Sequence, residues 1–130
     1  MADWLVKTEP GEYSFDDLRK KGTATWDGVA NPVAVKNIRS MKVGDRIVVY
    51  HTGGEKAAVG LARVASAPRD DKKDPRLAVV DLGAGKALSR PVPLAEIKSL
   101  PLFADSPLVR IGRLSVVPLT DAQYAFLAGG

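Results

Sequence analysis

The 130-residue chain has one histidine, His51, and no cysteine, and these two counts limit its chemistry at the outset. Hydrolysis by a side-chain nucleophile needs a base beside that nucleophile. The chain has no thiolate and no Gly-x-Ser-x-Gly elbow, and His51 ends an apolar run where local hydrogen bonding accounts for it. One histidine with scattered carboxylates gives none of the usual metal-ligand spacings. Asp70, Asp71 and Asp74 are close in sequence, but Lys72 and Lys73 lie among them, as in a solvated loop. Gly83-Ala84-Gly85-Lys86 has the glycines of a phosphate loop. Ala87, however, stands where Ser or Thr would hold magnesium, and no helix clearly follows. The expectation is no catalytic residue, no metal and no cofactor.

What remains suits binding. Trp26 lies in a glycine-containing, turn-like stretch, Thr25-Trp26-Asp27-Gly28-Val29. A loop tryptophan can stack on a nucleobase, worth about 1–3 kcal/mol per base. It can equally plug the end of a core, and the pattern alone leaves both roles open. Trp4, inside an apolar run, reads as core. The net charge of +4 and pI near 9.5 are spread along the chain, a mild bias toward a polyanionic partner.

The elements that must position these residues follow from turn and cap signals. Trp4 to Lys7 reads as a first strand that ends at Glu9-Pro10-Gly11. Ser14 and Asp17 form a capping-box pattern, Tyr13 can staple onto Leu18, and Gly22 stops that helix. Asn31-Pro32 opens a second helix, along which Ala34, Ile38 and Met41 share a buried stripe. Lys36 and Arg39 then face solvent or a ligand. Strands are expected at Arg46–His51 and Ala58–Val64, paired across Gly53-Gly54. After a polar loop from Arg69 to Pro75, a strand from Leu77 to Leu82 turns at Gly83-Ala84-Gly85 into another from Ala87 to Val92. Pro91 marks that last one as an edge or a strand end. Leu94–Lys98 makes a short helix, Leu114–Val117 a last strand, and Thr120 to Gln123 opens a terminal helix.

Five or six short strands with small helices predict an α+β domain with a curled, barrel-like sheet. Its core should include Trp4, Leu5 or Val6, Ile38, Val48 and Val79. The length suits one domain over residues 1–130, without linkers or repeats. No stretch nears the ~18 apolar residues of a membrane helix, so no membrane partner is expected. No secretory signal is visible at the start, and the lack of cysteine suits a reducing cytoplasm. A monomer is the expectation.

Longer-range spacing carries more. Trp4-Leu5-Val6-Lys7-Thr8-Glu9-Pro10, Tyr13-Ser14, Asp17-Leu18, and Trp26-Asp27-Gly28-Val29 with Asn31 resemble the opening signature of the EVE domain. Ile38-Arg39-Ser40-Met41, Gly44-Asp45, Tyr50-His51, Val59-Gly60, Asp74-Pro75-Arg76, Pro91-Val92, Ile97-Lys98 and Arg113-Leu114-Ser115-Val116 continue the match through almost the whole chain. The resemblance implies a PUA-like pseudobarrel, with a mixed curled sheet similar in architecture to the YTH domains that read methylated adenine in RNA. It also implies the reading of modified bases in nucleic acid, notably modified cytosine in DNA.

On that resemblance Trp26 is the aromatic wall for an extruded base. Lys7, Thr8 and Glu9 run along the pocket, with Lys7 toward a phosphate and Glu9 set to accept from an exocyclic amine, as a cytosine N4 is commonly read. Asp27, Ser14, Asn31, His51 and Thr52 complete the polar edge, Ser14 and Asn31 having rival roles as helix caps. Lys36, Arg39 and Arg113 supply phosphate contacts. The chain departs from the family pattern at Ala30 (often arginine), Thr52 (more usually serine), Leu77 (often tryptophan) and the tyrosine-free loop Ala67-Asp70. Tyr13, Tyr50 and Phe103 are the other candidate aromatics. Fold alone also admits a non-catalytic small-molecule or protein-interaction module.

Overall fold

The computed structural model describes residues 2–129. In chain order the elements are β1 (Asp3–Thr8), α1 (Phe15–Lys21), β2 (Thr23–Trp26), α2 (Pro32–Ser40), β3 (Arg46–His51), β4 (Ala57–Val64), β5 (Arg69–Asp70), β6 (Ala78–Pro93), α3 (Leu94–Lys98), α4 (Pro107–Arg110), β7 (Val116–Leu119) and α5 (Asp121–Gly129), with a 3-10 turn at Pro101–Phe103. The strands form one row, β2-β6-β4-β3-β1-β7, with the two-residue β5 beside β6. β1 and β3 pair in parallel and the other pairs are antiparallel. β2 and β7 end the row unpaired to each other, so the curled sheet does not close. This is the mixed α+β pseudobarrel architecture expected above.

The two parallel strands are buried at consecutive residues because both their faces are covered. Leu5, Val6, Ile47, Val48 and Val49 are wholly buried, and Trp4 and Ile38 join the same core, whereas Val79, expected there, is buried outside that cluster at the position that pairs with Arg69 of β5. Two polar contacts set the β1–β3 register. Asp3, buried, takes a bidentate pair from its register partner Arg46 at 2.7 and 2.9 Å. One residue along, the Trp4 indole donates to Asp45 at 3.0 Å. A slipped register would leave the Asp3 carboxylate buried without its partner, a cost of about 3–5 kcal/mol.

Four expectations are corrected. Gly83-Ala84-Gly85 is not a turn; β6 runs straight through it for 16 residues. A Cβ at Gly85 would lie 2.8 Å from the Leu61 carbonyl oxygen, so that glycine permits close approach to β4, where the register shifts twice. Trp26 is not in a loop. It ends β2, paired with Val80 of β6, and is 8% exposed. The last strand begins at Val116, two residues later than expected, and Arg69-Asp70 of the polar loop pairs with β6 as the short β5. Pro91 falls near the end of β6, exposed, as a strand proline must be.

Candidate functional site

Chain geometry after β1 builds the site. The Glu9 carbonyl accepts from the amides of Glu12 and Tyr13 at 3.0 and 2.9 Å, turning the chain back on itself. The Thr8 hydroxyl donates to the Tyr13 carbonyl at 2.6 Å and holds the returning strand of the turn. Ser14 and Asp17 then exchange the reciprocal capping-box bonds, 3.1 and 2.9 Å, that start α1. His51 secures the same point from across the sheet: its Nε2 accepts the Phe15 amide hydrogen at 3.0 Å, while Nδ1 meets Glu55 at 2.7 Å.

These constraints leave a cavity of about 550 Å3. β1 contributes Lys7 and Thr8, the turn Glu12 and Tyr13, the end of α1 Lys21, and β2 Ala24, Thr25 and Trp26. The Asp27–Ala30 loop and Ser115 complete it. The size is that of a small-ligand pocket, about 300–1,000 Å3. Tyr13 meets Trp26 edge-to-face, centroids 6.1 Å apart and planes at 79°. Gly28, with φ +73°, makes the bend that carries the chain round the rim. The wall thus combines aromatic surface, two carboxylates and two ammonium groups, the mixture that can grip a flat heterocycle and address donors and acceptors on its edge.

Lys7 is the least ordinary of these groups. Its Nζ donates to the Gly112 carbonyl at 2.9 Å and stands 5.6 Å from the centre of the Tyr50 ring. Burial lowers its pKa from the usual lysine value. It also borders a second cavity, of about 260 Å3, on the side of Tyr50.

Of the residues expected at the site, the structure brings Trp26, Asp27, Lys7 and Thr8 together in the first cavity. Thr52 lines the second. Ser14 and Asn31 sit at the starts of α1 and α2 as side-chain caps, outside both linings. His51 is 8% exposed and engaged at both ring nitrogens, also outside both linings. Glu9 is exposed and leans over the β3–β4 turn, where a Cβ at Gly53 would lie 3.1 Å from its Oε1. Arg39 is committed to the loop before β6: it pairs with Asp70 at 2.8 Å and donates to the carbonyls of Pro75 and Leu77. Lys36 and Arg113 are exposed and border neither cavity. Tyr50 is buried beneath Lys7, and Phe103 lies in the core.

Sequence reasoning did not select Glu12, Lys21 or Ser115. Lys21 reads locally as a helix-dipole partner in the last turn of α1, and only the return of β2 beside it makes it a cavity residue. Among the described residues, no three His, Cys, Asp or Glu side chains are grouped so as to hold a metal ion.

Comparison with known proteins bears on the family and the fold. Thymocyte nuclear protein 1 of Homo sapiens is 28% identical over 163 residues, spanning 97% of this chain and 72% of the relative. A crystal structure of a protein from Agrobacterium tumefaciens superposes with a TM-score of 0.95 at 33% identity, covering all (100%) of this chain and 94% of its own. The crystal structure of human THYN1 in complex with 5-methylcytosine-containing DNA gives a TM-score of 0.90 at 25% identity, over 98% of this chain and 96% of that one. The EVE domain model matches residues 2–129, so the chain belongs to the EVE domain family.

Proposed function

We propose that this protein is a non-catalytic nucleic-acid reader that holds a modified base, first of all a modified cytosine in DNA and secondly a modified base of RNA, in the cavity at Trp26. The observation that carries the reading is that cavity itself. An aromatic corner of Trp26 and Tyr13 shares with Lys7 the wall of a volume suited to one heterocycle. The human relative's complex with 5-methylcytosine-containing DNA, built on the same fold, supports cytosine as the base. The positive net charge supports a polyanion as the larger ligand. Both nitrogens of His51 are engaged within the fold, which supports binding without turnover.

The test is titration of duplexes that differ only in one 5-methylcytosine, at fixed and stated salt. Preference for the modified duplex is expected. Equal affinity for both would overturn the base-reading role and leave the cavity to a small molecule or a protein segment.

A further inference from the structure

The second cavity has a composition unlike the first. Lys7, Lys56 and Lys98 border it together with Thr52 and Tyr50, and no carboxylate is among its lining residues. Its volume of about 260 Å3 is below the range of drug-sized pockets, about 300–1,000 Å3. Lys56 and Lys98 are exposed, and neither belongs to an ion pair among the described residues. Glu9, over Gly53 at the margin, is one acid against three ammonium groups.

The backbone here is held in an unusual way. Lys56 has φ +47°, the one non-glycine with positive φ among the described residues. Glycine or asparagine would adopt that conformation at less cost. The Lys56 carbonyl accepts the Leu94 amide at 2.8 Å, tying the start of β4 to the start of α3 and so bringing the Lys56 and Lys98 segments to one cavity. A strained residue fixed by its surroundings is characteristic of binding sites. Lys7, anchored on Gly112, is the wall shared with the Trp26 cavity.

We infer that the cavity of Lys7, Lys56, Lys98 and Thr52 binds a phosphodiester of the strand whose base occupies the Trp26 cavity. The inference rests on the base-reading role proposed above. Ammonium groups act as compact point charges on phosphate, with a hydroxyl as neutral donor, and with only Glu9 at the margin most of that charge is left uncompensated. Because Lys7 separates the two cavities, a nucleotide can place its base on one side of this residue and its backbone on the other. The arrangement assigns backbone contact to Lys7, Lys56 and Lys98, not to Lys36 and Arg39, which border neither cavity.

Duplex affinity should be measured against salt for the wild type, Lys56→Gly, Lys98→Ala and Lys72→Ala. Lys56→Gly removes the charge while suiting the positive φ, and Lys72 is an exposed loop lysine that borders neither cavity. Each cavity variant should lower the slope of log affinity against log salt by about 1. The preference for methylated over unmethylated duplex should stay unchanged, and Lys72→Ala should keep the wild-type slope. If both cavity variants behave as Lys72→Ala does, the phosphate assignment falls. Inorganic phosphate at matched ionic strength should compete no better than chloride. Competition abolished by Lys98→Ala would make a free anion the occupant and also overturn the assignment. Slopes read on unmodified duplex test this cavity even if the methyl preference fails, so the two readings fail separately.

Discussion

The rings of Tyr13 and Trp26 meet edge-to-face at 79°, with the centroids 6.1 Å apart, so each ring fixes the plane of the other. Trp26 is therefore at once a buried residue and a cavity wall. Trp26→Ala should destabilise the fold by about 3–5 kcal/mol as a core truncation. In the fraction still folded it should weaken duplex binding roughly ten- to a hundredfold, with the salt slope unchanged. Thermal melts run beside salt-resolved titrations separate the two losses. Tyr13→Phe keeps the ring and removes a buried hydroxyl that has no hydrogen-bond partner. It should be neutral or stabilising in urea unfolding, since a buried unpaired hydroxyl costs about 1–3 kcal/mol. A marked loss would show that the hydroxyl finds a partner in solution.

Acid should act on the fold through Asp45. Burial pushes its carboxyl up, but bonds from the Trp4 indole and the Lys42 and Ala2 amides outweigh burial and hold it below the usual carboxylate range. A depressed folded value stabilises the protein above the unfolded pKa, about 3.9 for aspartate. That contribution is lost as pH falls through the folded value. Asp45→Asn should cost about 1.5–3 kcal/mol at neutral pH. Its stability should then decline less than the wild type's below about pH 4. Parallel acid slopes for the two proteins in denaturant titrations would refute this.

Two glycines near each other in sequence should answer differently to the same methyl group. A Cβ at Gly60 would collide with the ring of Phe15, the residue that opens α1 beside the cavity turn. Gly60→Ala should therefore cost about 1–3 kcal/mol by overpacking. Gly54, whose Cβ would meet nothing, should accept alanine with little change. Equal unfolding midpoints for the two variants would show that Phe15 can move aside at no cost.

What was legible in the sequence is what the chain does to itself over a few residues. The Ser14–Asp17 capping box and the Asn31 cap join neighbours, so their residue types alone predict the bonds that form. The apolar runs of β1 and β3 were equally plain, because burial on both faces admits few polar residues. The misread features depend on distant partners. Gly83 to Gly85 has turn composition, and only the approach of Leu61 shows that a strand needs the space. Trp26 has glycine nearby, and only its pairing with Val80 removes it from a loop. Arg39 was placed correctly on the outer face of α2, yet the loop around Asp70 folds over to occupy it. At the site, the local stretch around Trp26 points to that residue and family spacing to Asp27, Lys7 and Thr8, whereas Lys21 and Ser115 arrive by tertiary return.

Parallel pairing of β1 with β3 obliges the chain to cross from one end of the sheet to the other between them. Here the crossover holds α1, β2 and α2, and it supplies every wall of the Trp26 cavity except Lys7, Thr8 and Ser115. On the proposed reading, a detour required by topology is thus also most of the surface that meets the base. Substitutions at Glu12, Lys21, Asp27 or Ala30 can alter which heterocycle is accepted while the β1–β3 ladder and its Asp3–Arg46 clasp stay as they are. On the same reading, ligand preference can change on this scaffold without any change in the backbone ladder that carries it.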